Sequence, residues 1–275
     1  MNLLEKKMVD ILNDLRENHN VIGVKCEFES EGTRLEEALR LKEVVTKADL
    51  ELTIKIGGCE ALKDMYDART IGVENIVAPM IESAYALKKY ILSTRMAFPK
   101  DEIEEIGFYI NTETITGYKN IDEMLTMPEA KNLTGIVLGR VDMTGSMGLT
   151  REDINSDAVL DIAKNVAEKA LKYGKKLVIG GGVSAQSLPF FRELPIGSLY
   201  KFETRKVIFD AQKALIDKNA EKGILKAVNF ELMWLKNKRD FYGMIHIEDS
   251  HRIDMLEIRY KKLIEDAGKQ IKGNE

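Results

Sequence analysis

The sequence predicts an α/β fold: a TIM-type (β/α)8-like barrel, with one βα unit irregular or missing and a helical C-terminal extension. Three observations carry that expectation. Short apolar runs alternate with helical stretches through the first 210 residues, the pattern of βα units around a parallel sheet. The runs are apolar at successive positions, as strands covered on both faces require. With only 5 prolines and no Ser/Gly-rich stretch, no interdomain linker is visible, so a chain of this length reads as one large domain.

The elements follow in order. The N-terminus, MNLLEKKMVDILNDLREN, is an amphipathic charged helix. Val21–Phe28 is the first strand, and Arg34–Lys47 the helix after it. Leu50–Ile56, Asn75–Met80, Ile106–Asn111, Gly135–Leu138, Lys176–Ile179 and Ser198–Phe202 read as further strands. Helices are expected at Glu60–Arg69, Ala84–Ser93, Ile121–Leu125 and Asp157–Tyr173. Seven strands are clear. For the eighth two readings stay open: the N-terminal helix replaces a unit, or Gly243–Ile247 (GMIHI) supplies a late strand. Residues 1–210 are thus expected to form the barrel with its N-terminal helix. Residues 211–275, which carry Phe230, Met233, Trp234, Phe241 and Met255, are expected to be helical, packing on the barrel or on a neighbouring subunit of a homo-oligomer.

Composition narrows the function classes. The 41 Lys+Arg against 45 Asp+Glu leave a net charge of -4, which argues against a nucleic-acid or membrane-surface binder. Two cysteines, Cys26 and Cys59, cannot build a disulfide framework. The N-terminus is not a signal h-region, and no apolar run reaches the ~20 residues of a membrane span. A cytoplasmic protein is expected. The histidines, His19, His246 and His251, lie outside the strand ends and read as surface or interface residues.

Active sites of βα barrels lie at the C-terminal ends of the strands. There the chain places Glu27, Glu29 and Ser30; Lys55, Gly57 and Gly58; Glu82 and Ser83; Asn111 and Glu113; Arg140 and Asp142; Gly180, Gly181 and Gly182; and Lys201, Glu203, Thr204 and Arg205. Glu113 and Asp142 end successive strands, and neighbouring strands lie about 4.8 Å apart, so the two carboxylates can converge on one ion. Two carboxylates with open positions suit Mg²⁺ or Mn²⁺, whereas no His/Cys cluster exists for zinc. The glycine turns after the second and sixth strands can expose backbone N–H groups to an anion or can simply be tight turns. No GxGxxG or P-loop occurs. Lys201, Glu203 and Arg205 read first as a structural ion-pair network, with a role in specificity as the alternative.

Two segments carry a family resemblance. Thr112-Glu113-Thr114-Ile115-Thr116-Gly117-Tyr118-Lys119-Asn120 resembles an I-E-T-x-x-G-x-x-N segment. Leu138-Gly139-Arg140-Val141-Asp142-Met143 with Met147-Gly148 resembles F/I-G-x-x-D-L…L-G. Both belong to the HpcH/HpaI-type aldolases and citrate lyase β-subunits of the phosphoenolpyruvate/pyruvate-binding barrels. Ile76–Ser83, Ile54-Lys55 and Glu27-Phe28-Glu29 are similar to weaker family positions. The resemblance implies a metal-dependent carbon–carbon lyase acting on a 2-oxo acid or acyl substrate through an enolate. Glu113 and Asp142 would hold Mg²⁺ or Mn²⁺. Backbone N–H groups around Gly139, Arg140, Val141 and Asp142 would bind the substrate carboxylate, and Lys55 would stabilise the enolate oxygen.

The chain also departs from the family. Lys55 replaces an arginine and loses its bidentate fork. Ser30 stands where the aldolase branch has a histidine, which leaves the proton carrier unassigned between Glu29 and a metal-bound water. Arg140 adds a cation that binds an extra anionic group or pairs with a strand-end carboxylate. These departures sustain a second expectation: a non-catalytic or altered barrel that binds a sugar acid or 2-oxo acid, or that partners another enzyme.

Overall fold

The computed structural model describes residues 1–272. Its centre is a closed eight-stranded barrel in the order β1-β2-β3-β4-β5-β6-β7-β8. The strands are β1 (Val21–Glu27), β2 (Glu51–Lys55), β3 (Asn75–Ala78), β4 (Gly107–Thr112), β5 (Gly135–Gly139), β6 (Lys176–Gly180), β7 (Leu199–Glu203) and β8 (Val207–Asp210). The helices are α1 (Leu3–His19), α2 (Leu35–Lys47), α3 (Leu62–Ile71), α4 (Ala84–Ala97), α5 (Lys100–Ile103), α6 (Ile115–Lys119), α7 (Ile121–Thr126), α8 (Arg140–Ser146), α9 (Asp157–Lys172), α10 (Ser187–Arg192), α11 (Ala211–Ala214) and α12 (Ala220–Lys272). The fold class expected from the sequence is therefore the one observed. The chain divides into two compact units, one from Met1 to Glu231 and one from Leu232 onward.

The irregular unit is the eighth. Strands β1 to β7 pair in parallel, but β8 runs antiparallel to both β7 and β1. The reason is connection length. Only Thr204, Arg205 and Lys206 separate β7 from β8, and a parallel return needs a crossover of about a dozen residues or more. Three residues allow only a hairpin, closed here by Thr204 N–H to the Val207 carbonyl at 2.9 Å. Neither sequence candidate for the eighth strand holds. Gly243–Ile247 lies inside α12. The N-terminal helix replaces no unit but packs on β1 and α2, burying Met8, Leu12 and Leu15. Its start is fixed by a capping box between Asn2 and Glu5.

Inward-facing Val77, Tyr109, Val137 and Val178 fill the barrel axis, so the barrel is a packed core closed below the site. Outward, Phe191, Phe202 and Phe209 stack in a row, with 5.2 Å and 4.8 Å between centroids. In the first unit, α12 buries Ala220, Ile224, Ala227 and Phe230, one stripe at helical spacing. Gly223 permits close approach there, since a Cβ would lie 3.0 Å from the His19 Cβ. His19 is correspondingly buried, so of the surface or interface position expected for it the surface reading does not hold. His246 and His251 are exposed. No helix among the described residues is long and apolar enough to cross a membrane.

Candidate active site

Two glycines open the cavity. Gly139 of β5 and Gly180 of β6 are register partners and both face inward, so two adjacent wall positions carry no side chain. A Cβ on Gly139 would lie 2.8 Å from Glu113 Oε2 and 2.9 Å from Glu113 Cβ, and one on Gly180 would lie 3.0 Å from the Glu203 side chain. The missing side chains make room for the carboxylates of β4 and β7. The result is a cavity of about 470 Å³ at the C-terminal end of the parallel strands, whose lining includes Lys25, Glu27, Glu29, Lys55, Asn111 and Glu113. Gly139, Val141, Asp142, the Gly180–Gly182 turn, Glu203 and Glu231 belong to the same lining. The expected residues Glu29, Lys55, Glu113, Gly139, Val141 and Asp142 are thus brought together.

Glu113 is held from two sides. Its Oε1 accepts the Met80 N–H at 3.1 Å, and its Oε2 accepts Asn111 Nδ2 at 2.7 Å. Met80 aims its N–H there from a left-handed backbone at φ 49°, a costly conformation for a side chain of this size. Lys55 Nζ lies 3.5 Å from Glu113 Oε2 and 3.1 Å from Glu29 Oε2. Burial raises the Glu113 carboxyl above its ordinary value; Lys55 and the Met80 N–H oppose the rise, and nearby Asp142 adds to it. Lys55 is raised instead: burial would lower it, but Glu113, Glu27 and Glu29 together outweigh burial. It is therefore a fixed cation.

The recognised motif has a mechanical basis. Thr114 Oγ1 accepts the Gly117 N–H at 3.1 Å, starting α6, and also donates to Glu82. Asn120 Nδ2 donates to the Glu82 carbonyl at 2.7 Å. A Cβ on Gly117 would sit 3.2 Å from the Ile81 carbonyl oxygen. The Thr, Gly and Asn of the segment tie the end of β4 to the end of β3 and so aim Glu113.

A second charged group was not resolved as a site in the sequence. Lys25, in the middle of β1, ion-pairs with Glu203 and with Glu27 at 3.1 Å. Ser30 Oγ donates to Glu27. Burial would raise Glu27, but Lys25, the Ser30 hydroxyl and Lys55 hold it at about 2. Lys25 alternates with Cys26 and Glu27 in a strand, so period two places Lys25 and Glu27 on one face; that was the available signal.

Several expected residues are placed differently. The Arg140 side chain is fully buried, and only its backbone remains near the cavity. The guanidinium donates to the carbonyls of Gly180 at 3.1 Å and Gly181 at 3.0 Å, to Asn155 Oδ1 at 2.6 Å and to Ser187 Oγ at 3.1 Å. It also lies 5.0 Å from the ring centres of Phe190 and Phe191. It neither faces an anion nor pairs with a strand-end carboxylate among the described residues; it braces the Gly180–Gly182 turn. The cause is that the helix starts at Arg140 itself, which turns the side chain outward. At Gly181, φ 81°, a Cβ would lie 2.7 Å from the backbone nitrogens of Arg140 and Val141, so glycine keeps the first amides of α8 accessible. The Gly57 N–H is taken by Asp64 Oδ2 at 2.7 Å, so this amide is not open to an anion, and neither Gly57 nor Gly58 lines the cavity. Lys201 reaches Glu51 at 3.2 Å, at the N-terminal end of β2. Arg205 pairs with Glu31 at 3.2 Å. With the Lys25–Glu203 contact, these pairs make the ion-pair reading of Lys201, Glu203 and Arg205 the observed one.

The donor chemistry near Glu113 suits a hard cation. All donors are oxygen: the Glu113 and Asp142 carboxylates and Asn111 Oδ1, a buried amide oxygen without a hydrogen-bond partner. No group of three His, Cys, Asp or Glu side chains is placed to hold an ion among the described residues. Mg²⁺ or Mn²⁺ would therefore draw its remaining ligands from Asn111, water or substrate, as such ions ordinarily do.

The profile of the HpcH/HpaI aldolase/citrate lyase family matches residues 33–179. That span includes Lys55, Glu113 and Gly139 to Asp142 but stops short of β1 and β7. Among solved structures, an HpcH/HpaI aldolase from Desulfitobacterium hafniense DCB-2 is 14% identical, with a TM-score of 0.55 over 67% of this chain and 78% of its own. An HpcH/HpaI aldolase/citrate lyase family protein from Burkholderia cenocepacia J2315 is 13% identical, with a TM-score of 0.52 over 67% and 88%. Citrate synthase SbnG is 14% identical, with a TM-score of 0.58 over 85% and 90%. At these identities the likeness concerns the fold. No curated protein sequence matches the chain.

Proposed function

The chain belongs to the HpcH/HpaI aldolase/citrate lyase family, and from that premise we propose that it is a divalent-metal-dependent carbon–carbon lyase whose substrate or product is a 2-oxo acid or a carboxylated acyl compound. The observation that carries the reading is the buried Glu113 carboxylate beside Asp142 and Lys55 in a cavity of about 470 Å³. Glu113 and Asp142 would hold Mg²⁺ or Mn²⁺, with the unpartnered Asn111 Oδ1 beside them. When bound, the ion supplies Lewis-acid stabilisation of negative charge developing on substrate oxygens. The backbone amides at Gly139, Arg140 and Val141 would take the substrate carboxylate, because the first amides of a helix lack intrahelical partners. Lys55 would set a fixed positive charge beside the oxygen on which enolate charge grows. Glu29, paired with Lys55 at 3.1 Å, keeps that ammonium in place.

The test is the release of pyruvate or acetate from a panel of 2-oxo acids and CoA thioesters with Mg²⁺ or Mn²⁺. No release from any of them, together with no thermal shift by Mn²⁺ plus oxalate, would remove the reading. One observation favours a second reading, a barrel that binds a sugar acid or 2-oxo acid without cleaving it, or that partners another enzyme: Lys55 Nζ, 3.5 Å from Glu113, supplies the carboxylate with a cation of the protein's own. A ligand-induced thermal shift that is independent of metal would select it. We also propose a cytoplasmic homo-oligomer. Exposed Leu235, Phe241, Met244, Ile253 and Leu256 along α12 support self-association, which light scattering measures.

A further inference from the structure

Six carboxylates line the cavity: Glu27, Glu29, Glu113, Asp142, Glu203 and Glu231. Four are committed to bonds. Glu27 is held by Lys25 and Ser30, Glu203 by Lys25, Glu29 by Lys55, and Glu113 by Lys55, Asn111 and Met80. Among the described residues Asp142 and Glu231 alone in this set carry no hydrogen bond or ion pair. Asp142 belongs to the oxygen set beside Glu113. Glu231 stands apart from it, on α12, one turn beyond Val228, which also lines the cavity.

We propose that Glu231 is the proton carrier of this cavity. The assignment rests on the lyase reading above. In the cleavage direction the Glu231 carboxylate takes the proton of the substrate's carbinol hydroxyl. The adjacent carbon–carbon bond breaks, the carbinol carbon leaves as a carbonyl, and the bonding pair passes to the 2-oxo fragment as its enolate. The carboxyl then returns the same proton to the enolate carbon, so no oxidant or further reactant is needed. The surroundings fit the task. Burial raises the carboxyl toward working pH, while Arg205 and Lys206 of the β7–β8 turn oppose the rise and Glu31 of the loop after β1 adds to it. A carrier works best when its pKa approaches the operating pH. Glu27, at about 2, is too weak a base to serve.

The experiment follows exchange of the pyruvate methyl protons in D2O with Mg²⁺, by NMR. The wild type should exchange, and E231Q should exchange at least about 100-fold more slowly. E231Q should keep the wild-type thermal shift with Mg²⁺ plus oxalate and lose the acidic limb of the pH–rate profile. E231D, which retains a carboxyl, should recover part of the rate and covers the case of a poorly folded E231Q. Exchange by E231Q within a factor of two of wild type, or an unchanged acidic limb, would overturn the assignment while leaving the lyase reading intact. No exchange by the wild type would overturn the assignment to Glu231, whereas the lyase reading falls only if the panel of 2-oxo acids and CoA thioesters also releases neither pyruvate nor acetate.

Discussion

Replacing Arg140 with methionine separates a bracing role from a substrate-binding one. The guanidinium makes four hydrogen bonds of 2.6 to 3.1 Å, to the carbonyls of Gly180 and Gly181, to Asn155 and to Ser187. A hydrogen bond to a charged group contributes ~1.5–3 kcal/mol, so four sum to roughly 6–12 kcal/mol. Against this stands the cost of burying a cation without a counter-ion, several kcal/mol; burial alone pulls this guanidinium below its usual pKa. Methionine refills much of the volume, which keeps the packing penalty small, but two glycine carbonyls lose their donor. The net loss is about 3–5 kcal/mol, near the cost of breaking a buried ionic network. For a unit of this size it lowers Tm by about 10 °C. Urea unfolding followed by far-UV circular dichroism measures it. Affinity for oxalate should fall as well, because the braced turn lines the cavity. An R140M protein as stable as wild type that has nevertheless lost oxalate affinity would refute the argument, since the guanidinium would then be facing the ligand.

Three further outcomes are expected. Mn²⁺ should raise the melting temperature of the wild type but not of E113Q or D142N, and an unchanged shift in both variants would remove these residues as ligands. Gly139→Ala should weaken Mn²⁺ binding at least tenfold and destabilise by about 1–3 kcal/mol through overpacking, because its Cβ meets the rigid Cβ of Glu113 at 2.9 Å; calorimetric titration and thermal melting read the two effects. Acid should loosen the contact between α1 and α12. His19 Nε2 lies 2.9 Å from the Lys226 ammonium and must accept from it. Burial and Lys226 lower the His19 pKa below its ordinary 6.5, against the opposing pull of Asp14 and Asp217. The unfolded chain therefore binds this proton first. The contribution is intact above about pH 6.5 and is lost as pH falls from there through the lower folded-state value. Urea midpoints at pH 7.5 and 5.5 should fall further for the wild type than for H19N, and equal falls would dismiss the effect.

The sequence by itself determined the class of the fold and the heart of the site. Seven short runs rich in apolar residues, alternating with helical stretches, read as strands of a covered sheet, and all seven occur within a residue or two of their expected limits. Glu113, Asp142 and Lys55 were legible because each ends such a run, and strand ends converge in a closed barrel. Tertiary structure decided the remainder. The direction of β8 depended on a three-residue connection that no periodicity reports. Arg140 looked like a strand-end cation, but starting α8 at that residue swings its side chain behind the glycine turn, so only its amide stays near the cavity. Lys25 and Glu203 lie 178 residues apart in the chain and meet because β1 and β7 flank β8. Glu231, on α12, lies outside every strand-end motif and reaches the cavity only through the fold. Short-range pattern specifies which residues face inward at a strand end; which distant charges meet there, and which carboxylate is left without a partner, depends on how the barrel closes.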